Sequence, residues 1–190
     1  MNAARLKLGL AGLLAGATFV AAGAVLAALN GGGAARLGPV PILEMAAGYD
    51  RAADAALATG KPQALTLARS LSRRALAQNP YDTAAWLRIA SADALSHGRL
   101  TPVGVAALGR SYDLAGIDPY VATWRTGFSL EHWDQLPPEM KADVRSEALA
   151  VGRRWSHQEK MLKVLDGVRN PRARMTAALW AARLRSRAAQ

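Results

Sequence analysis

Prolines and glycines divide most of this 190-residue chain into segments with the length of a helix. A proline suits the first turn of a helix and a glycine suits the residue after its last turn, so this spacing predicts helices. No run of alternating Val, Ile and Thr predicts a strand. We therefore expect an all-α fold, with helices near residues 42–59, 62–78, 83–96, 101–115, 118–133, 137–154, 156–168 and 172–186.

Two segments of the chain are similar to each other. Residues 75–86 and 114–124 both carry an Asn or Asp, a Pro and a Tyr, followed by a Trp. Pro80 and Pro119 therefore mark the same point in two units of about forty residues, a period typical of helical solenoids with two helices per unit. Such a unit cannot bury its apolar face alone, so we expect neighbouring pairs to stack.

One set of spacings resembles the tetratricopeptide repeat. In that family the second helix carries small residues and ends in a proline before the Trp of the next repeat. The positions that carry the resemblance are Ala68, Ala75, Pro80, Trp86 and Ala90. The resemblance covers residues 42–154 and implies antiparallel helix pairs that form a solenoid, without naming a ligand.

The second unit departs from this pattern. It is longer by about five residues near positions 97–101, and Trp124 comes one position early relative to its proline. The run from Trp124 to Pro138 also looks like a segment of tetratricopeptide-like envelope proteins of alphaproteobacteria, some of them encoded near polysaccharide-export genes. That likeness implies a cell-envelope setting and no particular activity.

The start of the chain contains a long apolar run. Residues 8–29 have no charged side chain, and at about 1.5 Å per residue they could cross the roughly 30 Å hydrocarbon layer of a membrane. We interpret them as a retained transmembrane anchor. Two alternatives stay open. The segment could be a cleaved signal sequence, since the small residues at 22–27 suit a cleavage site, or it could be a buried helix.

Flanking charges indicate how this anchor is oriented. Arg5 and Lys7 precede the apolar run and only Arg36 follows it closely. Because positive residues tend to stay inside, residues 1–7 should be cytoplasmic and the rest of the chain should lie in the periplasm, held at the inner membrane. The glycines and prolines of residues 30–41 predict a short flexible linker.

The other end of the chain is strongly basic. The whole chain has a net charge of +10, and residues 168–190 hold six arginines and no acid. We interpret residues 155–190 as basic helices with a solvated face. Contact with anionic lipid or an acidic polysaccharide is the alternative, but nucleic acid is not expected in the periplasm. The residues for such an anionic contact are Arg174, Arg183, Arg185 and Arg187.

No residue pattern predicts catalysis, a metal or a cofactor. His97, His132 and His157 lie on separate predicted elements without the HExxH spacing of a metal site. Consecutive residues such as Glu131 and His132 point in different directions on a helix and cannot converge on one substrate. The chain also lacks cysteine, which excludes thiolate sites.

Large aromatic residues are expected in the core. Trp124 and Phe128 lie one turn apart, and Trp86 shares a face with Ala90. We interpret all three aromatic side chains as packing residues, with ligand stacking as the alternative. Asp93 lies on the same face as Trp86, so we expect it to be partly buried and to need an Arg partner or a capping role.

The sequence thus predicts a non-enzymatic helical-repeat scaffold that binds a protein partner in envelope or polysaccharide assembly. Stacked helix pairs present a surface that binds peptides or helices. The alternative is a polysaccharide- or lipid-binding module, or an enzyme accessory subunit, that uses the arginine-rich end. The residues expected to contact the protein partner are Leu87, Arg88, Ser91, Leu95, Arg125 and His132.

The predicted orientation can be tested with reporter fusions. Because the positive residues lie before the apolar run, a reporter that works only in the periplasm should be active when it is joined after Gln190. Activity of a cytoplasmic reporter alone at the same junction would show that the orientation is wrong.

Overall fold

A computed structural model describes residues 18–28, 30, 33–37 and 40–188. Over these residues the all-α prediction is confirmed, and one short hairpin accompanies the helices. The strands are β1 (Ala34–Leu37) and β2 (Val40–Glu44), and a short 3₁₀ helix spans Trp133–Gln135. The helices that follow the hairpin are α1 (Ala46–Thr59), α2 (Pro62–Gln78), α3 (Thr83–His97), α4 (Pro102–Leu114), α5 (Ala122–Glu131), α6 (Pro138–Gly152), α7 (Trp155–Asp166) and α8 (Pro171–Ala188).

The helix ends follow the proline and glycine signals. Pro62, Pro102 and Pro138 each stand in the first turn of a helix, where a proline costs no hydrogen bond. Gly60 and Gly98 end α1 and α3 with φ values of 65° and 67°. This left-handed backbone is open to glycine and strained for other residues.

Adjacent helices pack in pairs, and the pairs stack in a solenoid-like row. The pairs are α1 with α2, α3 with α4, α5 with α6, and α7 with α8. One core runs from Leu87 on α3 to Leu184 on α8 and is rich in alanine. A smaller core around Tyr49 lies between α1, α2 and β1. Small side chains allow close approach of the helices, as the alanine-rich sequence leads one to expect.

The segment predicted as a flexible linker, residues 30–41, includes β1 and the first two residues of β2. β1 pairs antiparallel with β2, with Ala34 opposite Glu44. Gly33 precedes β1 with a φ of 98°, and a Cβ at this position would come within 2.2 Å of the Tyr49 ring. Its N–H donates to the Ala28 carbonyl and its carbonyl accepts from the Met45 N–H, each at 2.7 Å. Close packing, and not a need for flexibility, therefore explains why a glycine occupies position 33.

The predicted membrane anchor lies partly outside the described residues. Residues 18–28 are helical, whereas residues 1–17 and 29 are not described. Among the described residues, no helix combines the length and the apolar character needed to cross a membrane.

Asp93 confirms the expectation that a buried acid needs a partner. Only 1% of this residue is exposed, and its carboxylate accepts from the Thr101 N–H at 2.8 Å and from the Thr101 hydroxyl at 2.9 Å. Because Thr101 is the N-cap of α4, Asp93 fixes the start of that helix. Gly104 leaves the necessary room, since a Cβ there would lie 2.4 Å from the Asp93 carboxylate.

A buried ion pair lies within the third helix pair, and its arginine also binds the end of the second pair. The side chains of Arg125 on α5 and Glu147 on α6 are both fully buried. The guanidinium donates to both carboxylate oxygens of Glu147, to the Ser111 carbonyl at 2.9 Å and to the Ala115 carbonyl at 2.8 Å. Its carbon lies 3.9 Å from the centre of the Tyr112 ring. The charge is thus neutralised and hydrogen-bonded on all sides, as a buried ion requires.

Glu147 also holds the turn before α5. One of its carboxylate oxygens accepts from the Asp118 N–H at 3.1 Å. The Asp118 carboxylate in turn accepts from the Tyr120 N–H at 3.0 Å and from the Thr83 hydroxyl at 3.1 Å. The buried pair therefore positions the repeated Asp-Pro-Tyr turn against the start of α3.

Removal of one partner should destabilise the fold strongly. We expect Glu147→Gln to lower the free energy of unfolding by about 3–5 kcal/mol, because it leaves the Arg125 charge buried without a counter-charge. Urea denaturation measures this change. Glu139→Gln on the exposed side of the same helix is the matched control and should stay within about 0.5 kcal/mol. Equal small losses in both variants would contradict the structural role of the pair.

Candidate functional site

A groove opens between the first helices of the first three pairs. One part of it is a cavity of about 460 Å³ between α1, α3 and the start of α5. We call this surface and its continuation along α7 the first-helix groove. The cavity is lined by Asp54, Leu57, Ala58, Ala84, Leu87, Arg88, Ser91, Leu95, Tyr120, Val121 and Trp124.

Four residues chosen from the sequence as partner contacts line this cavity together. Leu87, Arg88, Ser91 and Leu95 repeat at the spacing of one helix face, and the structure places all four on the side of α3 that faces the groove. Leu87 is nearly buried and forms the floor, whereas Leu95 is 55% exposed. The repeat register thus located a shared surface, although binding of a partner stays a prediction.

Trp124 lies in the groove, and the interpretation of it as a core residue is wrong. Its side chain is 47% exposed and stacks on Phe128 with ring centres 4.8 Å apart. Tyr120 beside it is 98% exposed. Trp86 and Phe128 are partly buried and pack against the core, as predicted.

Spacing from the proline explains the different positions of the two tryptophans. Trp86 and Arg125 follow Pro80 and Pro119 by the same number of residues, and Trp124 comes one residue earlier. A one-residue offset turns a side chain by about 100° around a helix. Arg125 consequently enters the interior of the third pair, and the ring of Trp124 turns into the groove.

The two remaining predicted partner contacts lie elsewhere. Arg125 is fully buried, so the prediction that it reaches a partner is corrected by its place in the ion pair with Glu147. His132 is partly buried at the end of α5, with its ring centre 4.7 Å from that of Phe128. Burial lowers the pKa of the His132 imidazole, which favours the neutral ring at pH 7. It does not line the cavity next to α3.

The α1 end of the groove is acidic. Arg88 contacts the Asp50 carboxylate at 2.7 Å and the Asp54 carboxylate at 2.6 Å. The pKa of Asp50 is raised to about 6, chiefly by burial and also by the nearby charges of Asp82 and Asp54, against the attraction of Arg88. The three acids outnumber the single arginine, so this end carries negative charge at pH 7. The sequence comparison did not predict these acids, because it compared the segments around Pro80 and Pro119 and did not relate α1 to α3.

The α7 end of the groove is basic. A second cavity of about 470 Å³ shares Tyr120 and Trp124 with the first, so the groove continues between α5 and α7. Its lining includes His157 and Lys160. A third cavity of about 490 Å³ adds Lys163, with Glu131 as the acid among its lining residues. The groove therefore runs from acidic to basic across an aromatic centre.

The arginines predicted to contact anions do not form one cluster. Arg185 contacts the Asp166 carboxylate at 2.5 Å, and Arg174 donates to the Arg169 carbonyl at 3.3 Å. Arg183 instead lies beside Lys141 and Arg145 of α6. The side chain of Arg187 lies outside the described residues. Contact of these four arginines with an anionic surface therefore stays a prediction.

Within the described ranges, no three His, Asp or Glu side chains come together as a metal ion would require. Comparison of the chain with protein-family profiles, curated proteins and solved structures finds no match.

The Asp50 carboxyl should titrate near pH 6. Its pKa in the folded state lies above the ordinary value of 3.8, so between these two values the folded state binds the extra proton. The resulting stability is present below pH 3.8 and is lost as the pH rises through 6. NMR of the carboxyl carbon measures the midpoint directly.

The neighbouring acid provides a second test of this titration. In Asp54→Asn the midpoint of Asp50 should move to lower pH, because one of the charges that raise its pKa is gone. In Asp50→Asn the loss of stability between pH 4 and pH 7 should shrink by the contribution of this group. A midpoint near 4 in the wild type would contradict burial of the acid beside Arg88.

Proposed function

We propose that this protein is a non-catalytic, membrane-anchored scaffold whose first-helix groove binds a segment of a partner protein in cell-envelope or polysaccharide assembly. The observation that carries the proposal is the convergence of Leu87, Arg88, Ser91 and Leu95 with the exposed Tyr120 and Trp124. The first four residues were chosen from repeat register alone. The two aromatic residues come from the next helix pair, so the surface forms only when the second and third helix pairs pack against each other.

Exposed aromatic side chains are the strongest support for a protein partner. Tyr and Trp are enriched among the residues that dominate binding energy at interfaces, because they offer large apolar area with few rotatable bonds. Tyr120 and Trp124 lie over a cavity whose other side carries Leu95 and Leu57. A partner side chain that enters this cavity would bury apolar surface from both sides.

The charges at the two ends indicate the chemistry and direction of the partner segment. A basic residue suits the α1 end, where Asp50 and Asp54 lie. An acidic residue suits the α7 end, near Lys160 and Lys163. The reverse direction would place like charges together, which disfavours binding. We therefore expect an apolar centre flanked by a basic residue on one side and an acidic residue on the other.

Membrane anchoring is the second part of the proposal. The apolar run of residues 8–29 supports it, together with exposed apolar side chains on the described helical part, such as Phe19 and Leu26. Apolar side chains of this kind are costly in water and favourable in lipid. In the predicted orientation the groove would face the periplasm, a setting that agrees with the resemblance to envelope proteins.

Photo-crosslinking in intact cells tests the groove. A photoreactive residue at Leu95 should form a discrete adduct with a partner protein, because Leu95 is exposed at the groove edge. The double variant Tyr120→Ala and Trp124→Ala should reduce that adduct more than about 30-fold, since loss of central aromatic residues typically costs 2 kcal/mol or more in binding. The adduct is measured by its change in mass on a denaturing gel.

Two controls separate binding from folding. A photoreactive residue at Leu67, an equally exposed position on α2 outside the cavity lining, should not give the same adduct. Tyr120→Ala alone should change stability by no more than about 0.5 kcal/mol, because its side chain is almost fully exposed. The same adduct from position 67, or an adduct whose yield is unchanged by the aromatic substitutions, would show that the groove is not the binding surface.

A further inference from the structure

A second surface combines positive charge with exposed apolar side chains on α6 and α8. A cavity of about 460 Å³ lies between these helices, with Lys141, Arg145 and Arg183 around it. Trp133, Trp180 and Leu179 supply its apolar lining. We call the three cations, with Leu179 and Met175, the α6–α8 face. It shares no lining residue with the cavities of the first-helix groove.

The three cations of this face are not neutralised within the described part of the chain. None of them takes part in an ion pair there, and none of the residues described around the cavity is acidic. Arg172 and Arg185 on the same helix behave differently, because they contact Asp134 at 3.3 Å and Asp166 at 2.5 Å. The positive charge of the face is therefore available to an anionic ligand.

Apolar side chains on the same face narrow the choice of ligand. Met175, Leu179 and Arg183 repeat every four residues and so share one face of α8. Met175 is 73% exposed and Leu179 is 64% exposed. A soluble acidic polysaccharide would use the cations and leave these aliphatic groups in water. A lipid surface uses both, since phosphate groups bind the cations and the acyl boundary accepts the apolar groups.

We infer that the α6–α8 face docks on an anionic phospholipid surface. Lys141, Arg145 and Arg183 contact the phosphate groups, while Met175 and Leu179 enter the boundary of the acyl chains. This contact is separate from the apolar run of residues 8–29, and it does not require that the first-helix groove bind a protein. It sets which side of the helical body lies against the membrane.

The chain contains no cysteine, so a single introduced thiol can report on this face. Ala142 is an exposed residue that lines the cavity, and Ala142→Cys can carry an environment-sensitive fluorophore. The full chain is reconstituted in vesicles of phosphatidylcholine alone, or of equal parts phosphatidylcholine and phosphatidylglycerol. This design separates docking of the face from insertion of residues 8–29, because the label reports only its own surroundings.

We expect a blue shift of the label with phosphatidylglycerol and none with phosphatidylcholine alone. High salt should reverse the shift, because screening weakens attraction to the phosphate layer. The triple variant Lys141→Gln, Arg145→Gln and Arg183→Gln should lower the docking constant by about 100-fold, since each cation near an anionic surface strengthens binding about five-fold. Met175→Ser with Leu179→Ser should also reduce the shift.

Matched controls make the result specific to this face. A label at Leu67→Cys, an exposed position on α2, should show no lipid-dependent shift. The triple variant Arg51→Gln, Lys61→Gln and Arg73→Gln removes three exposed cations from α1, the turn after it and α2. It should leave the Ala142→Cys signal unchanged, which would exclude an effect of net charge alone.

Three results would overturn the inference. The first is the absence of a shift with phosphatidylglycerol at low salt. The second is an equal loss of the shift in the control triple variant, which would indicate general charge attraction. The third is a shift caused by alginate added to phosphatidylcholine vesicles but not by phosphatidylglycerol, which would assign the face to a soluble acidic polysaccharide instead.

Discussion

A guanidinium placed in a protein interior must find an acceptor for each of its N–H groups, and the packing around Arg125 meets this demand. The acceptors come from Glu147 on α6 and from Ser111 and Ala115 at the end of α4. Moving any of these helices would leave a charge or a carbonyl unpaired, at a cost far above that of a lost apolar contact. The register between the second and third helix pairs therefore depends on this one side chain.

The same interaction shapes the groove. Glu147 accepts a hydrogen bond from the Asp118 N–H. The Asp118 carboxylate in turn accepts one from the Tyr120 N–H and so fixes the turn that carries Tyr120. Trp124 precedes Arg125 in the sequence, so the inward turn of Arg125 directs the tryptophan to the groove side. A buried polar network in the core thus determines where two exposed aromatic residues stand. The proposed binding surface and the buried network use neighbouring residues on different sides of α5.

Local sequence signals predicted the helices well because proline and glycine act through the backbone itself. The ends of α2 and α3 fall within a residue or so of the expected positions. The role of Gly33 before the hairpin was missed because the contact that requires a glycine there comes from a residue remote in the sequence, Tyr49. The start of α5 was also misjudged, since residues 118–121 form a turn around Asp118.

The candidate site was predictable only in part, for a related physical reason. Register within α3 placed Leu87, Arg88, Ser91 and Leu95 on one side, because a helix fixes the relative directions of its own side chains. Which neighbours face that side depends on stacking between pairs, as with Asp50, Asp54 and Trp124. The charged neighbours of the arginines on α8 also depend on how the helices stack. Arg183 lies beside Lys141 and Arg145, whereas Arg185 contacts an acid.

Gly33 joins the N-terminal helical residues to the body of the protein. It is hydrogen-bonded on one side to the Ala28 carbonyl and on the other to the Met45 N–H, and the Tyr49 ring closes over it. A flexible hinge at this point would let the helical body rotate relative to the N-terminal helical residues. The contacts of Gly33 restrict that rotation. A movement of the helical body would therefore be transmitted through these hydrogen bonds to the helical residues that end at Ala28.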